Sequence, residues 1–220
     1  MLNKKILVTG ATGFVGKQVI KCLCNLDVKI CLVLRSGKEN IFHGNKAVQS
    51  IIFSQDIFKE STAWWTETCA DIDTIIHLAW YAEPGEYLES SKNSECFKGT
   101  VSLAKGAVKA GVKRFLGIGT CVEYKNSSSP LKASSPLNPA TPYAKAKVDT
   151  FQYLSTLFQE SSIEFLWCRL FYLYGEGEDS RRLVPLLRNS FMHGKSVELS
   201  NPGMVKDYLN VEEAGKIIAN

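Results

Sequence analysis

Short apolar runs alternate with longer amphipathic stretches along most of this chain, and the two patterns predict different elements. Apolar and β-branched residues dominate six runs, which predict strands at 4–9, 28–34, 50–53, 74–79, 112–120 and 163–172. Helical spacing of apolar residues predicts helices over 15–23, 61–68, 90–110 and 143–159. Strands that are apolar on both faces and alternate with helices indicate an α/β fold with a doubly wound parallel sheet.

A glycine-rich turn, TGATGFVG over Thr9–Gly16, separates the first strand from the first helix. Gly10 permits a tight turn, Gly13 lets backbone approach a pyrophosphate, and Gly16 lets the helix pack closely on the strand. The helix N-terminus then offers unpaired N–H groups to phosphates. This order predicts a dinucleotide-binding unit. Because the spacing is Gly-x-x-Gly-x-x-Gly rather than Gly-x-Gly-x-x-Gly, a turn that binds no ligand is the alternative.

Composition and charge exclude several classes of protein. With 220 residues, 45% of them hydrophobic, the chain can bury one good core. The net charge of +4 is spread without a basic block, so neither nucleic acid nor a membrane surface is an expected partner. No apolar run approaches the roughly 18 residues of a membrane span, and no signal peptide precedes the first strand. We therefore expect a cytoplasmic protein.

The cysteines and histidines do not predict a metal site. Seven cysteines are scattered through the chain without a Cys-x-x-Cys pair, which indicates reduced residues in a core rather than a disulfide framework. The three histidines, His43, His77 and His193, share no ligand spacing with them. His77 ends an apolar run and is interpreted as a packing residue rather than a catalyst.

Tyr143 and Lys147 are the first residues with a candidate catalytic role. They are four positions apart at the start of a predicted helix, so both project from one face, with Thr141 as the predicted N-cap and Pro142 in the first helical position. A lysine ammonium one turn away is expected to lower the tyrosine pKa towards neutrality. Thr120 ends the fifth predicted strand, at the sheet edge where ligands of such folds bind, and its hydroxyl can orient a reacting oxygen.

Further motifs accompany these residues in a characteristic order along the chain. They are Asp56-Ile57, His77-Leu78-Ala79, Gly111-Val112-Lys113-Arg114-Phe115, Arg169-x-Phe171-x-x-Tyr174-Gly175 and Asp207-Tyr208 through Val211. Together with the glycine turn and the Tyr-Lys pair, they resemble the extended short-chain dehydrogenases/reductases of the NAD-dependent epimerase/dehydratase family, which act on nucleotide-linked sugars.

This resemblance implies specific roles for residues of the present chain. Thr120, Tyr143 and Lys147 match the catalytic positions. The cofactor-binding positions are Gly10, Thr12, Gly13, Phe14, Val15, Gly16, Arg35, Asp56, Ile57, Leu78 and Ala79, together with Tyr143 and Lys147. Substrate contacts are expected from Trp80, Cys121, Tyr172, Arg181 and Arg182, although the two arginines equally suit an exposed loop.

Departures from the family pattern narrow the expected reaction. Dehydratases carry an acidic pair directly after the catalytic threonine, whereas this chain has Cys121 and Val122, with Glu123 one place too late. Because water elimination needs that acid and base, 4,6-dehydration is disfavoured. Cys96 and Tyr172 replace asparagines that the family usually has.

The end of the second strand bears on the choice of cofactor. A carboxylate there would accept hydrogen bonds from the ribose hydroxyls of NAD. The chain instead has Arg35, which can pair with a 2′-phosphate, so NADP is favoured over NAD. The alternative is that Arg35 is merely a solvated charge at a strand end.

The sequence therefore predicts a Rossmann-type domain over residues 1–175 and a small, incomplete substrate-binding region over 176–220, because family members run well beyond this length. The favoured activity is reduction of a 4-keto sugar on a nucleotide. The alternatives are C4 epimerisation with tightly bound NAD and a cofactor-binding protein without catalysis. The resemblance also implies a homodimer through the helices near 99–110 and 143–159.

Overall fold

Six parallel strands form the central sheet of the computed structural model, which describes residues 4–37, 42, 44–199 and 201–220. In chain order they are β1 (Lys4–Thr9), β2 (Val28–Leu34), β3 (Val48–Phe53), β4 (Thr74–His77), β5 (Arg114–Thr120) and β6 (Glu164–Leu170). Their spatial order is β3-β2-β1-β4-β5-β6, with parallel pairing throughout. This is the Rossmann strand order, which confirms the predicted doubly wound sheet.

Helices cover both faces of this sheet. They are α1 (Phe14–Leu23), α2 (Thr62–Thr68), α3 (Lys92–Ala110) and α4 (Pro142–Ser161), followed near the C-terminus by α5 (Leu183–Met192) and α6 (Val211–Ala219). One core lies between the sheet and α1 with α6, and includes Val8, Leu32 and Ile218. The other lies between the sheet and α2, α3 and α4 around Phe115 and Leu154. Side chains on opposite faces of the sheet therefore pack into two separate cores.

Local sequence signals explain where several helices begin and end. The Thr141 hydroxyl accepts a hydrogen bond from the Ala144 N–H at 3.1 Å, and Pro142 occupies the first helical position of α4. Ser61 caps α2 in the same way. Gly111 ends α3 with a φ of 75°, a left-handed conformation that suits glycine. The Thr141 contact confirms the N-cap predicted for α4.

The sixth predicted strand ends earlier than the pattern indicated. β6 stops at Leu170, and a separate short strand, β7 (Tyr172–Tyr174), pairs in parallel with β8 (Tyr208–Asn210) outside the main sheet. The apolar run does not reveal this break, because both segments are apolar.

The C-terminal residues do not all belong to one region. α5 has no buried residue, whereas α6 packs against α1. Gly215 makes this contact possible, because a Cβ there would lie 2.7 Å from the Gln18 Cβ. Within the region predicted over 176–220, Ile218 and Ala219 of α6 join the core between α1 and the sheet. The boundary at residue 175 itself stays a prediction.

Candidate active site

A cleft of about 1100 Å³ runs along the carboxyl ends of the strands, where the order reverses between β1 and β4. Parallel α/β sheets bind ligands at this switch point. All the predicted cofactor and catalytic residues line the cleft: Gly10, Thr12, Gly13, Phe14, Val15, Gly16, Arg35, Asp56, Ile57, Leu78, Ala79, Thr120, Tyr143 and Lys147. The fold therefore brings together residues that are up to 137 positions apart (Gly10 to Lys147).

The glycine turn that follows β1 is a closely packed part of the cleft wall. Gly10 has a φ of 74°, and a Cβ on it would lie 2.6 Å from the Ala79 nitrogen. A Cβ on Gly16 would lie 2.1 Å from the Gly10 carbonyl oxygen. The N-cap of α1 is Gly13, which offers no side-chain hydrogen bond to the first helical N–H groups. This cradle fits the diphosphate of a dinucleotide, because the free N–H groups and the helix dipole favour an anion.

The ends of β2 and β3 form the next part of the cleft. Arg35 is exposed directly after β2, and Asp56 follows β3, where its carboxylate accepts a hydrogen bond from the Phe58 N–H at 3.0 Å. Ile57 lies beside it in the cleft wall. A positive charge at the first of these positions suits an anionic group on an adenosine ribose.

His77 lies beneath the cleft rather than in its wall. Its Nδ1 is 2.8 Å from the Thr9 hydroxyl and its Nε2 is 3.0 Å from the Thr100 hydroxyl, so both ring nitrogens have partners. Burial, with a smaller contribution from Lys147, lowers the pKa of His77 to about 3. A neutral, hydrogen-bonded imidazole in the core has the packing role inferred from the sequence.

Thr120 and Tyr143 approach each other across the cleft floor. Thr120 ends β5 and caps a single 3-10 turn over Cys121–Glu123, while Tyr143 lies in the first turn of α4 and its N–H donates to the Leu88 carbonyl at 3.0 Å. The Tyr143 ring packs edge-on against Tyr87, with centroids 4.8 Å apart. Burial is the largest cause that raises the Tyr143 pKa, and hydrogen bonding to the Thr120 side chain opposes it.

Lys147 is buried one turn further along α4. Its Nζ donates to the Ile118 carbonyl oxygen at 2.7 Å and lies 3.7 Å from the centroid of the Trp80 ring. Burial lowers the pKa of Lys147 to about 7, although the charge of Glu123 opposes this effect. The expected lowering of the Tyr143 pKa by Lys147 is not found. The ammonium is held by Ile118 and Trp80, 5.9 Å from the phenol ring centroid, and burial of the tyrosine dominates.

The residues predicted to contact substrate fall into two groups. Trp80, Cys121, Tyr172 and Arg182 line the cleft, whereas Arg181 does not. The Arg181 guanidinium instead pairs with Asp179 at 2.7 Å and with Glu83 at 2.9 Å. Sequence patterns could not predict this arrangement, because Glu83 lies 98 positions away. Trp80 is anchored by its indole N–H, which donates to Asn93 Oδ1 at 2.8 Å.

Sequence reasoning noted Glu123 only as a misplaced acid, but the structure gives it several partners. The side chain is fully buried and accepts hydrogen bonds from Thr120, Trp167 and Arg169. The sequence signals that could have indicated this role are an acidic residue three positions after Thr120 and an arginine, Arg169, on the sixth predicted strand.

Two searches of the described residues address other kinds of site. Across those parts of the chain, three or more His, Cys, Asp or Glu residues never gather in a way that could hold a metal ion. His43 lies outside the described residues. Within the same ranges, each helix is too short or too polar to cross a membrane.

Comparisons with known proteins agree with this geometry. The family model of the NAD dependent epimerase/dehydratase family matches residues 6–219. The dTDP-6-deoxy-L-talose 4-dehydrogenase (NAD(+)) of Aggregatibacter actinomycetemcomitans is 24% identical over 94% of this chain and 76% of its own. The UDP-glucose 4-epimerase of Vibrio cholerae is 28% identical over 80% of this chain and 54% of its own.

Solved structures show the same fold. The UDP-N-acetylglucosamine 4-epimerase from Methanobrevibacter ruminantium M1, in complex with UDP-N-acetylmuramic acid, has a TM-score of 0.83 and 22% identity, and the match covers 98% of this chain and 72% of that one. The UDP-glucuronic acid 4-epimerase from Bacillus cereus, in complex with UDP-glucuronic acid and NAD, has a TM-score of 0.78, 20% identity and coverage of 96% and 70%. With the family model matched over nearly the whole length, the chain belongs to the NAD dependent epimerase/dehydratase family.

Proposed function

We propose that this protein is an NAD(P)-dependent oxidoreductase that acts on a nucleotide-linked sugar, with reduction of a 4-keto sugar as its favoured reaction. The observation that carries the proposal is the convergence of Thr120, Tyr143 and Lys147 in the same cleft as the glycine turn that follows β1. A nucleotide-linked sugar and a dinucleotide together need such a long cleft, because both contain a diphosphate.

The chain's own residues supply the proton-transfer chemistry. A bound nicotinamide would supply or accept the hydride. Tyr143, whose pKa is raised by burial, retains its proton and donates it to the sugar oxygen. The Thr120 hydroxyl orients that oxygen. Lys147, whose ammonium is held by the Ile118 carbonyl and Trp80 and does not lower the Tyr143 pKa, would hold the ribose of the cofactor.

A second candidate reaction is C4 epimerisation, which uses the same three residues. The 4-epimerase activities of the Vibrio cholerae and Methanobrevibacter ruminantium relatives favour it. Dehydration is not proposed, because Cys121 and Val122 stand where an acid and a base would be needed and Glu123 is not among the residues that line the cleft.

One experiment separates these reactions. The purified, dialysed protein is assayed with a nucleotide-linked 4-keto sugar and added NADPH or NADH, and in parallel with UDP-glucose and no added cofactor. Consumption of added cofactor supports the reductase, whereas turnover with NAD retained through dialysis supports the epimerase. Cofactor binding without turnover in either assay would support a protein without catalysis, and no effect of NAD or NADP on the Tm would overturn all three.

We also propose NADP as the preferred cofactor, and Arg35→Asp tests this. A hydrogen bond to a charged group contributes about 1.5–3 kcal/mol, so the variant should raise the KM for NADPH about tenfold to a hundredfold. The KM for NADH should change little or fall. Arg188→Asp, the same charge change on an exposed residue of α5, is the control. A wild-type protein that uses NADH with the lower KM would contradict this proposal.

The homodimer implied by the family resemblance remains a proposal. The groove between α3 and α4 supports it, because two aromatic side chains line this groove. Phe97 and Tyr153 form a T-shaped pair there, with centroids 6.4 Å apart. We expect size-exclusion chromatography to show a dimer at micromolar concentration, and Tyr153→Lys to shift it to a monomer without a large change in Tm. A monomeric wild type would contradict the proposal.

A further inference from the structure

The buried carboxylate of Glu123 is a charged group that the proposed chemistry leaves without a role. Glu123 follows the end of β5 and is 0% exposed. It is not among the residues that line the cleft. A charge removed from water in this way is stable only when it is paired and hydrogen-bonded. Its partners therefore indicate what it does.

Donors from two strands meet at this carboxylate. The Thr120 backbone N–H donates to Oε1 at 2.8 Å, and the Trp167 indole N–H is 3.2 Å from each oxygen. The Arg169 Nε–H donates to Oε2 at 2.5 Å, and the Arg169 side chain is only 11% exposed. Glu123 thus ties the last residue of β5 to two residues of β6.

The strand leaves room for this network. A Cβ on Gly119 would lie 2.4 Å from Glu123 Oε1 and 2.3 Å from Trp167 Nε1. A Cβ on Gly117 would lie 2.6 Å from the Trp167 ring. Because both positions that face the network on β5 are glycines, the indole and the carboxylate can pack directly on the strand backbone.

The same short segment of β5 also holds Lys147. The Lys147 ammonium donates to the Ile118 carbonyl oxygen at 2.7 Å, two residues before Thr120, and lies 5.8 Å from the Trp167 ring centroid. A shift of the Ile118–Thr120 segment would therefore displace both the threonine hydroxyl and the carbonyl that holds the ammonium.

Several charged or titratable groups influence the ionisation of Lys147. Burial is the dominant cause of its lowered pKa, and the negative charge of Glu123 acts in the opposite direction, as does Cys96. The remaining groups that surround this region are Tyr143 on α4, His77 on β4 and Arg169 beside Glu123 on β6. Among these named groups, Glu123 is the one carboxylate whose negative charge opposes the lowering of the Lys147 pKa.

We propose that Glu123 is a positioning residue, which fixes the end of β5 through Thr120 and Arg169 and so holds the Thr120 hydroxyl and the Lys147 ammonium in place for proton transfer. The proposal rests on the function proposed above. Glu123 then lies behind the site and acts through its neighbours rather than on substrate.

Two variants separate the effect of the charge of Glu123 from the effect of its side-chain length. Glu123→Gln keeps a side chain of the same length but removes the charge. We expect kcat to fall about tenfold to a hundredfold, since a misplacement of about 1 Å costs up to about a hundredfold. We also expect the basic limb of the pH–kcat profile to move to lower pH, because Lys147 loses its proton more readily without the nearby negative charge.

Glu123→Asp keeps the charge but is one methylene shorter, so it cannot reach Thr120 and Arg169 together. Its kcat should fall while the basic limb stays near that of the wild type. This variant retains the ion pair and remains informative if Glu123→Gln does not fold. The control is Glu164→Gln, which removes the exposed pair between Glu164 and Arg114 on the same two strands and should change neither quantity.

A measurement that does not need turnover distinguishes this proposal from the proposed function. In protein labelled with 13C at the lysine Cε, the Lys147 resonance, assigned by its loss in Lys147→Met, should titrate at lower pH in Glu123→Gln than in the wild type. A wild type without turnover overturns the proposed function only. An unchanged Lys147 titration, or a kcat unchanged in both Glu123 variants, overturns the positioning role.

Discussion

Tyr143→Phe should lower kcat by about 10²- to 10⁴-fold, the range that general acid–base catalysis contributes. The substitution removes only the phenolic hydroxyl, and the ring keeps its edge-on contact with Tyr87 and its place beside Trp80. Because burial raises the pKa of Tyr143, the wild-type group remains a proton donor throughout the usual assay range. Steady-state kinetics, with the substrate that the reductase and epimerase assays identify, measures the loss.

The matched control for this prediction is Tyr87→Phe. It removes a hydroxyl from the neighbouring ring, whose centroid is 4.8 Å from that of Tyr143, but leaves the proposed proton donor intact. We expect a change in kcat that is small beside that of Tyr143→Phe. Cofactor affinity, measured by calorimetry, should be similar in both variants and the wild type. Equal losses of kcat in the two variants would contradict the assignment of Tyr143 as the acid.

Gly16→Ala should both destabilise the protein and weaken cofactor binding. The added Cβ would lie 2.1 Å from the Gly10 carbonyl oxygen and 2.8 Å from the Ala11 Cα. Both of these are backbone atoms of the glycine turn, so neither can move without distorting it. Overpacking costs about 1–3 kcal/mol, and rigid backbone neighbours place this variant at about 3 kcal/mol or more of unfolding free energy.

Two further alanine variants test this steric explanation. A Cβ on Gly13 would lie 3.3 Å from the Gly10 oxygen, so Gly13→Ala should cost less stability while still hindering the approach of a diphosphate. Gly203→Ala, whose Cβ would meet only Asn201 Oδ1 at 3.9 Å, should stay within about 0.5 kcal/mol of the wild type. Denaturant unfolding and calorimetric titration with NADPH give the two quantities. Equal unfolding free energies for Gly16→Ala and Gly203→Ala would refute the explanation.

The features that sequence reasoning recovered are those set by local patterns. β2 occupies the predicted residues, Val28–Leu34, because a run that is apolar apart from Lys29 lies between Asp27 and Arg35 and leaves little choice of boundary. Thr141 and Pro142 predict the start of α4 for a similar reason, since a cap acts within one turn of the helix. The order of motifs along the chain was enough to indicate the family.

What the sequence could not predict depends on contacts between distant residues. The pairing of β7 with β8 joins two three-residue segments about 36 positions apart (Tyr172 and Tyr208). The ion pair of Glu123 with Arg169 and that of Arg181 with Glu83 also bring remote residues together. For Lys147, a neighbouring tyrosine suggested one partner, but the fold directs the ammonium to a carbonyl of β5 and the face of Trp80.

The packing of α6 on α1 has a consequence for how this protein folds. Gln18 and Gly215 touch although nearly the whole chain lies between them, and Lys21 reaches Glu212 at 3.6 Å. Contacts of such high sequence separation form slowly, because the entropy of closing the intervening loop is lost before the contact stabilises anything. The helix that follows the glycine turn therefore gains its final support late, after residues 211–219 have left the ribosome.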